Sequence, residues 1–222
     1  MPSQICSRIQ DVIDSARLLD HPYYLRWSKG DLTLEEIAGY AHQYRFFEEY
    51  LPNFLEKIIK QLPDCQAKSL LKQNLEDELG HPEPHLEMFD KFAVAVGCDL
   101  STSPKVSQAM ESLIEVYELA ASYGPANALG ALSYYEMQSA EIALSKAQGL
   151  RSEYGLSENE ITFWDNHATM EVDHADWTAK AIDDVVFDDM ITAAIDFTQR
   201  ASRAWWDFLD ERESLQPALT VR

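Results

Sequence analysis

The 222-residue chain is strongly acidic, with 38 acidic against 18 basic residues and a formal net charge of −20. Such a charge repels nucleic-acid phosphates and anionic membrane surfaces, so neither is expected as a partner. An apolar content of 46% suffices for one hydrophobic core, while 8 glycines and 9 prolines leave little material for the turns of a many-stranded fold. We therefore predict one all-α domain over residues 1–222.

The cysteines and the N-terminal segment indicate the compartment. Cys6, Cys65 and Cys98 form no C-x-x-C pair and no disulfide framework, as is typical of a reducing environment. The N-terminus carries polar residues throughout, and no apolar stretch approaches the roughly 18 residues of a membrane span. We therefore expect a cytoplasmic protein without a signal peptide or a membrane span.

Hydrophobic periodicity and capping signals predict about eight or nine helices arranged as an antiparallel bundle. The first is expected to run from about Ser3 to Leu19. Thr33 and Glu36 form a capping box that opens a long helix, which Pro52 is expected to kink. The later helices are expected to begin near residues 63, 83, 104, 125, 157 and 188, and a frayed polar tail covers residues 212–222.

The most informative motif is a pair of histidines that flank a carboxylate, His167-x3-Glu171-x2-His174. On a helix these three side chains lie within about 60° of one another, so they can face one site. Two imidazoles and a carboxylate suit a first-row transition metal such as iron. Two unrelated histidines on a solvated face would give the same spacing, so this motif alone does not establish a metal site.

A second carboxylate, Glu136, lies on a helix face made of small and apolar residues. An ionised carboxylate on such a face needs a cation or a buried polar partner, because its desolvation is costly. Metal binding and pairing with a buried arginine or tyrosine are both compatible with this position. Glu141, in contrast, shares its face with glutamines and a serine, and we expect it to be solvated.

A third carboxylate, Glu78, follows apolar residues on the inward face of its helix and precedes two histidines. The spacing permits Glu78-x-x-His81, the motif of ferritin-like dinuclear sites, as well as Glu78-x6-His85. Pro82 and Pro84 break the helix between these histidines, and spacing alone does not choose between them.

The ordered pattern Glu-x6-His, Tyr-Glu-x-Gln and His-x3-Glu-x2-His resembles the haem-oxygenase-like dimetal oxidases. Their fold includes the thiaminase II (TenA) proteins and the pyrroloquinoline quinone synthase (PqqC). Within this group the chain is most similar to the CADD-like p-aminobenzoate synthases, over essentially its whole length. Further cues are His21-Pro22-Tyr23-Tyr24-x2-Trp27 and Lys146 through Leu150.

This resemblance implies a haem-oxygenase-like bundle with two transition-metal ions, Fe/Fe or Fe/Mn, that react with dioxygen and need an external reductant. Its pattern favours His85 over His81. The implied metal ligands are Glu78, His85, Glu136, His167, Glu171 and His174. The sequence leaves the identity of the metals and the oligomeric state open, a homodimer included.

The resemblance further implies p-aminobenzoate synthesis for folate metabolism, with Tyr24 of the chain sacrificed as substrate and Lys146 as the amino donor. As ordinary residues, Tyr24 would be a core aromatic and Lys146 a solvated lysine near a helix end. Lys146 lies about 80° around the helix from Glu136, so it can border the site without binding metal. Tyr40, Tyr44 and Tyr135 are further candidate redox or hydrogen-bonding tyrosines.

Three other functions share this architecture. A related dimetal oxygenase would act on an external amine, amino acid or fatty acid with the same ligands. A metal-free oxidase of the PqqC kind would have no use for Glu136 opposite two histidines. A non-enzymatic interaction module would have no use for inward-facing ligands at all.

Overall fold

The computed structural model describes residues 3–80, 83–102 and 105–215. Within these ranges the secondary structure is helical and contains no strand, which confirms the predicted all-α fold. The described residues form nine α-helices, namely α1 (Gln4–Ser15), α2 (Pro22–Ser28), α3 (Leu34–Gln61), α4 (Gln66–Gly80), α5 (His85–Ala95), α6 (Gln108–Ser122), α7 (Pro125–Ser152), α8 (Thr162–Val185) and α9 (Ile191–Ser214).

Helix α7 is the centre of the bundle and packs against α6, α8 and α9. Its buried residues occur on nearly all of its faces, as expected of a helix enclosed by others. Small residues permit this close packing. At Gly130 an added Cβ would lie 2.9 Å from the backbone carbonyl carbon of Ala194, so α7 and α9 meet backbone to backbone.

Helix α3 begins with the predicted capping box. The Thr33 side chain accepts a hydrogen bond from the Glu36 amide, and the Glu36 carboxylate accepts one from the Thr33 amide at 2.8 Å. Pro52 lies inside the helix, which continues to Gln61, so the proline does not end it. The buried face of α3 carries the tyrosines that border the site described below.

The ends of the first and the last helix differ from the prediction. Helix α1 ends at Ser15 instead of Leu19, and a 3₁₀ turn over Leu18–Asp20 follows, in which the Leu18 amide donates to Gln138 Oε1 of α7 at 3.0 Å. Because the Leu18 amide bonds to α7, it is not available for a hydrogen bond that would continue α1. The last helix extends to Ser214, so residues 212–214 are helical and do not belong to a frayed tail; the tail beyond residue 215 lies outside the described residues.

Helix α8 begins at Thr162, although the predicted cap was at Ser157. The Ser157 amide and hydroxyl both donate to the Glu160 carboxylate at 2.7 Å. These bonds close a turn that precedes the helix, so the capping signal marks the turn and not the first helical residue.

The three cysteines are free, in agreement with the absence of a predicted disulfide framework. No helix among the described residues is both long enough and apolar enough to cross a membrane.

Candidate metal centre

The six residues that were predicted to bind metal lie together in the interior of the bundle. They come from four helices and are each no more than 7% exposed: Glu78 of α4, His85 of α5, Glu136 of α7, and His167, Glu171 and His174 of α8. Burial of so many ionisable groups at one place is costly unless they neutralise one another or a cation.

Helix α8 contributes three neighbouring groups on its buried face. Glu171 Oε1 lies 3.8 Å from His167 Nε2 and 3.6 Å from His174 Nδ1. The i, i+4 and i+7 spacing of the sequence therefore produces one convergent set of donor atoms, as helical geometry requires.

The interruption of the helix between α4 and α5 brings His85 to the same cluster of side chains. Because α4 ends at Gly80 and α5 begins at His85, the histidine is the first residue of a new helix. Its Nδ1 lies 2.7 Å from Glu78 Oε2, and its ring centroid is 4.3 Å from that of His167. His81, the other histidine permitted by spacing, lies outside the described residues.

Glu136 reaches the centre from the small-residue face of α7. It is 3% exposed, and among the described residues its Oε2 has no hydrogen-bond partner. One turn further along, the Ser139 hydroxyl donates to Glu171 Oε2 at 2.6 Å. Glu141 is exposed and pairs with Arg17 at 2.7 Å, as expected of a solvated residue.

The carboxylates and imidazoles perturb one another strongly. Burial, together with the negative charge of Glu171, raises the pKa of Glu136 well above its usual range. Burial opposes ionisation of Glu171 as well, but His174 and His167 outweigh it and lower the pKa of Glu171 to about 2. Glu171 and Glu136 in turn overcome the burial of His174 and raise its pKa to about 10. These opposed shifts are typical of a functional site.

The donor set fits a metal ion. One ligand atom from each of Glu78, Glu171 and His174 lies within 4.8 Å of the other two, a spacing that one cation can bridge. The unpartnered oxygen of Glu136 is a further donor, and mixed imidazole and carboxylate ligands suit iron or manganese.

Two outer contacts orient the histidines. His167 Nδ1 lies 2.7 Å from the Phe163 carbonyl oxygen; when Nδ1 donates there, Nε2 is the nitrogen that faces Glu171. His174 Nε2 lies 3.3 Å from Asp77 Oδ2, which leaves Nδ1 toward the centre. A second hydrogen bond of this kind fixes the ring orientation of metal-binding histidines in general.

One buried carboxylate of this region was missed at the sequence level. Glu48 of α3 is 4% exposed and lines the same cavity as Glu78, Glu136 and Glu171. Burial, with the charge of Glu78, raises the pKa of Glu48 to about 8. The signal was its spacing of four residues from Tyr44 on the inward face of α3.

Lys146 and Tyr24 lie in an aromatic cluster beside the centre. Lys146 is 2% exposed, and its Nζ donates to the Tyr40 hydroxyl at 2.6 Å. The Tyr40 hydroxyl also lies 3.0 Å from that of Tyr24, whose ring centroid is 4.6 Å from Lys146 Nζ. Burial lowers the pKa of Lys146 well below its usual value, although Glu48 opposes this shift. Lys146 is therefore buried, and the alternative expectation of an ordinary solvated lysine near a helix end is wrong.

A single layer of aromatic side chains separates this cluster from the carboxylates. Trp164 lines the metal-site cavity, and its ring centroid lies 4.1 Å from Lys146 Nζ. Tyr44 and Tyr135 line the cavity as well, with their hydroxyls 2.6 Å apart, and the Tyr44 ring stacks on Tyr40 with centroids 5.3 Å apart. The predicted metal ligands and the Lys146–Tyr24 pair thus form two adjacent compartments.

The cavity among the carboxylates is small. Its volume of about 10 Å³ corresponds to roughly one water-sized species. A much larger surface groove of about 630 Å³ is lined by residues of other segments, Phe187 and Tyr123 among them, and by none of the six predicted ligands. The titratable groups therefore mark the site better than groove size does.

Comparison with known proteins assigns the chain to a class. A family model described as iron-containing redox enzyme, of the haem-oxygenase type, matches residues 38–206. The chain therefore belongs to this family of redox enzymes, and the predicted resemblance is confirmed.

Among individual relatives, 4-aminobenzoate synthases recur. The chain is 30% identical over 220 residues to the 4-aminobenzoate synthase of Nitrosomonas europaea, covering 91% of this chain and 88% of that protein. It is 28% identical over 203 residues to the synthase of Chlamydia trachomatis, covering 90% and 87%.

Solved structures agree on the fold. A TenA homologue from Pseudomonas syringae superposes with a TM-score of 0.82 at 16% identity, covering 96% of this chain and 94% of that one. A CADD-like protein of unknown function from Nostoc punctiforme superposes with a TM-score of 0.72 at 14% identity, covering 93% and 96%. The predicted haem-oxygenase-like architecture is thereby confirmed.

Proposed function

We propose that the protein makes p-aminobenzoate with dioxygen at a dimetal centre, Fe/Fe or Fe/Mn, and consumes its own Tyr24 and Lys146 in doing so. Glu78, His85, Glu136, His167, Glu171 and His174 would hold the two ions. Such ions supply redox chemistry with dioxygen when bound.

The observation that carries this proposal is the placement of Tyr24 and Lys146. Both are buried next to the candidate metal centre, and their separation of 4.6 Å from amine to ring centroid brings nitrogen and ring together. Tyr24 would supply the aromatic ring and Lys146 the amino nitrogen. The similarity to proteins named 4-aminobenzoate synthase supports the same assignment.

The small cavity argues for an internal substrate. A volume of about 10 Å³ does not accommodate an amino acid or a fatty acid, whereas Tyr24 already lies one aromatic layer away. Burial of Lys146 favours its neutral amine, which has the free electron pair that bond formation to carbon requires. The aromatic walls exclude water from both groups.

Metal content tests the proposed binding of two metal ions. Purified protein loaded with iron, or with iron and manganese, should bind about two ions per chain, as measured by elemental analysis after desalting. Replacement of both His167 and His174 by alanine should abolish this binding. Unchanged metal content in that variant would contradict the assignment of the centre.

Isotope labelling tests whether Tyr24 supplies the ring of the product. Protein labelled in the tyrosine ring, reduced, metal-loaded and exposed to air, should release ring-labelled p-aminobenzoate, at most one molecule per chain. Tyr24→Phe should abolish the product, whereas Tyr23→Phe should retain it, because Tyr23 is equally buried on α2 but donates its hydroxyl to the Glu36 carbonyl. Equal yields from the Tyr24 variant and the wild type would refute the role of Tyr24.

A nitrogen label separates the two consumed residues. Protein that carries ¹⁵N only at the lysine side chains should yield ¹⁵N-labelled product, and Lys146→Arg should yield none. Unlabelled product would show that the amino group comes from elsewhere, with the role of Tyr24 intact.

A further inference from the structure

Helix α3 supplies none of the six predicted ligands, yet it places a carboxylate in their cavity. Glu48 is 4% exposed and lines that cavity together with Glu78, Glu136, His167 and Glu171. A carboxylate so deeply buried requires a partner.

No lysine or arginine among the described residues forms an ion pair with Glu48. Lys146, on which the charge of Glu48 acts, directs its amine to the Tyr40 hydroxyl instead. The hydroxyl of Tyr44, which lies 2.6 Å from the Tyr135 hydroxyl, is the neutral group that favours the ionised form of Glu48. One neutral hydroxyl does not stabilise a buried carboxylate anion, so an ionised Glu48 requires a cation that no lysine or arginine among the described residues supplies.

The charge of the proposed centre supplies the missing partner. Two divalent cations bring four positive charges, whereas Glu78, Glu136 and Glu171 bring only three negative ones, and the neutral histidines bring none. A net positive charge would remain in the interior of the bundle, at a substantial desolvation cost. A fourth carboxylate makes the centre neutral, and Glu48 is the buried carboxylate that lines the same cavity.

We propose that Glu48 is a seventh protein ligand of the dimetal centre, contributed by α3. This inference rests on the proposed metal binding and extends it to a helix that the six-residue pattern does not include. In the same cavity, Oε2 of Glu136 has no hydrogen-bond partner among the described residues, which is a second, independent indication that the carboxylates of this cavity bind a cation.

Metal titration with a matched control tests the assignment. Glu48→Gln keeps the shape of the side chain and removes its charge, whereas Glu49→Gln makes the same change at the next residue of α3, where the side chain is 59% exposed. Iron(II) and manganese(II) affinities would be measured anaerobically by competition with a chelator. We expect Glu48→Gln to bind one of the two ions at least a hundredfold more weakly, and Glu49→Gln to match the wild type.

Chemical rescue and diffraction distinguish a ligand from a distant charge. In Glu48→Ala the truncated side chain leaves room for a small carboxylate, so acetate should restore the lost affinity and acetamide should not. Anomalous diffraction from metal-loaded crystals should place a Glu48 oxygen about 2 Å from one ion, as for metal–carboxylate bonds in general.

The outcomes separate the two proposals. If the wild type binds two ions and Glu48→Gln binds them with unchanged affinity, Glu48 is not a ligand although the dimetal centre stands. If Glu48→Gln keeps its metal affinity but loses product, the carboxylate serves Lys146 and the ligand assignment is wrong. If the wild type binds no second ion, the proposed function itself fails.

Discussion

Lys146→Met should change how the stability of the protein depends on pH, because burial holds the pKa of this amine well below the value of 10.5 that applies in the unfolded chain. Between the two pKa values the unfolded chain binds more protons than the folded one. The free energy of unfolding of the wild type therefore gains about 1.4 kcal/mol per pH unit from this residue as the pH rises. Methionine has a similar length and no proton to bind, so the variant lacks this gain.

The magnitude follows from the burial. Lys146 is 2% exposed and donates one hydrogen bond, to a neutral tyrosine, so no anion in direct contact stabilises its charged form. Over each pH unit that lies between the folded and the unfolded pKa of Lys146, the wild type should gain about 1.4 kcal/mol relative to Lys146→Met. Toward neutral pH the variant should be the more stable protein, because it buries no ionisable amine.

Urea denaturation of both proteins at several pH values measures this difference directly. Titrations elsewhere in the chain cancel in the comparison. Lys180→Met serves as the control for the loss of an ordinary surface lysine, since the Lys180 side chain is 52% exposed and pairs with Asp176. A difference between Lys146→Met and the wild type that does not vary with pH would show that the buried amine is charged in the folded protein, which would refute the argument for a neutral amine.

Further predictions concern packing and the outer contacts of the centre. Gly130→Ala should destabilise the protein by about 3 kcal/mol in urea denaturation, because its methyl group would collide with the Ala194 backbone. The control, Gly39→Ala, places its methyl group in open space on a helix and should stabilise the protein by up to about 1 kcal/mol. Equal effects of the two substitutions would contradict the close crossing of α7 and α9. Asp77→Asn should weaken metal binding about 10–100-fold without changing the number of ions bound, since it loosens the orientation of His174; unchanged affinity would show that this contact is not needed.

Local sequence patterns anticipated most of the side chains that the structure brings together in the candidate centre, because these residues follow helical periodicity. His167, Glu171 and His174 occupy one face of α8 by spacing alone, and the small neighbours of Glu136 indicated an inward face. The choice of His85 needed the family resemblance. A helical pattern that two prolines interrupt can resume in several orientations, so helical periodicity does not predict which residues beyond the prolines face the same side.

The parts that were not predicted depend on contacts between distant segments. Glu48 has the correct spacing from Tyr44, but a single glutamate beside the exposed Glu49 is far more often solvated than buried. The bond between Lys146 and Tyr40 joins α7 to α3 and has no local signature. Ser157 shows the converse error, in which a correct local signal for capping marks a turn in place of the helix start.

Burial links the two compartments physically. The same exclusion of water raises the pKa of Glu136 and lowers that of Lys146, so each group is biased toward its neutral form. A neutral lysine is suited to forming a bond with carbon, whereas a neutral glutamic acid is a poor metal ligand. In the proposed centre, bound cations would therefore have to reverse the effect of burial at the carboxylates without restoring the proton to Lys146. The side chains of Trp164 and Tyr44 favour this separation, because both line the cavity of the carboxylates and both contact the amine, which donates to Tyr40 and forms no ion pair with a carboxylate among the described residues.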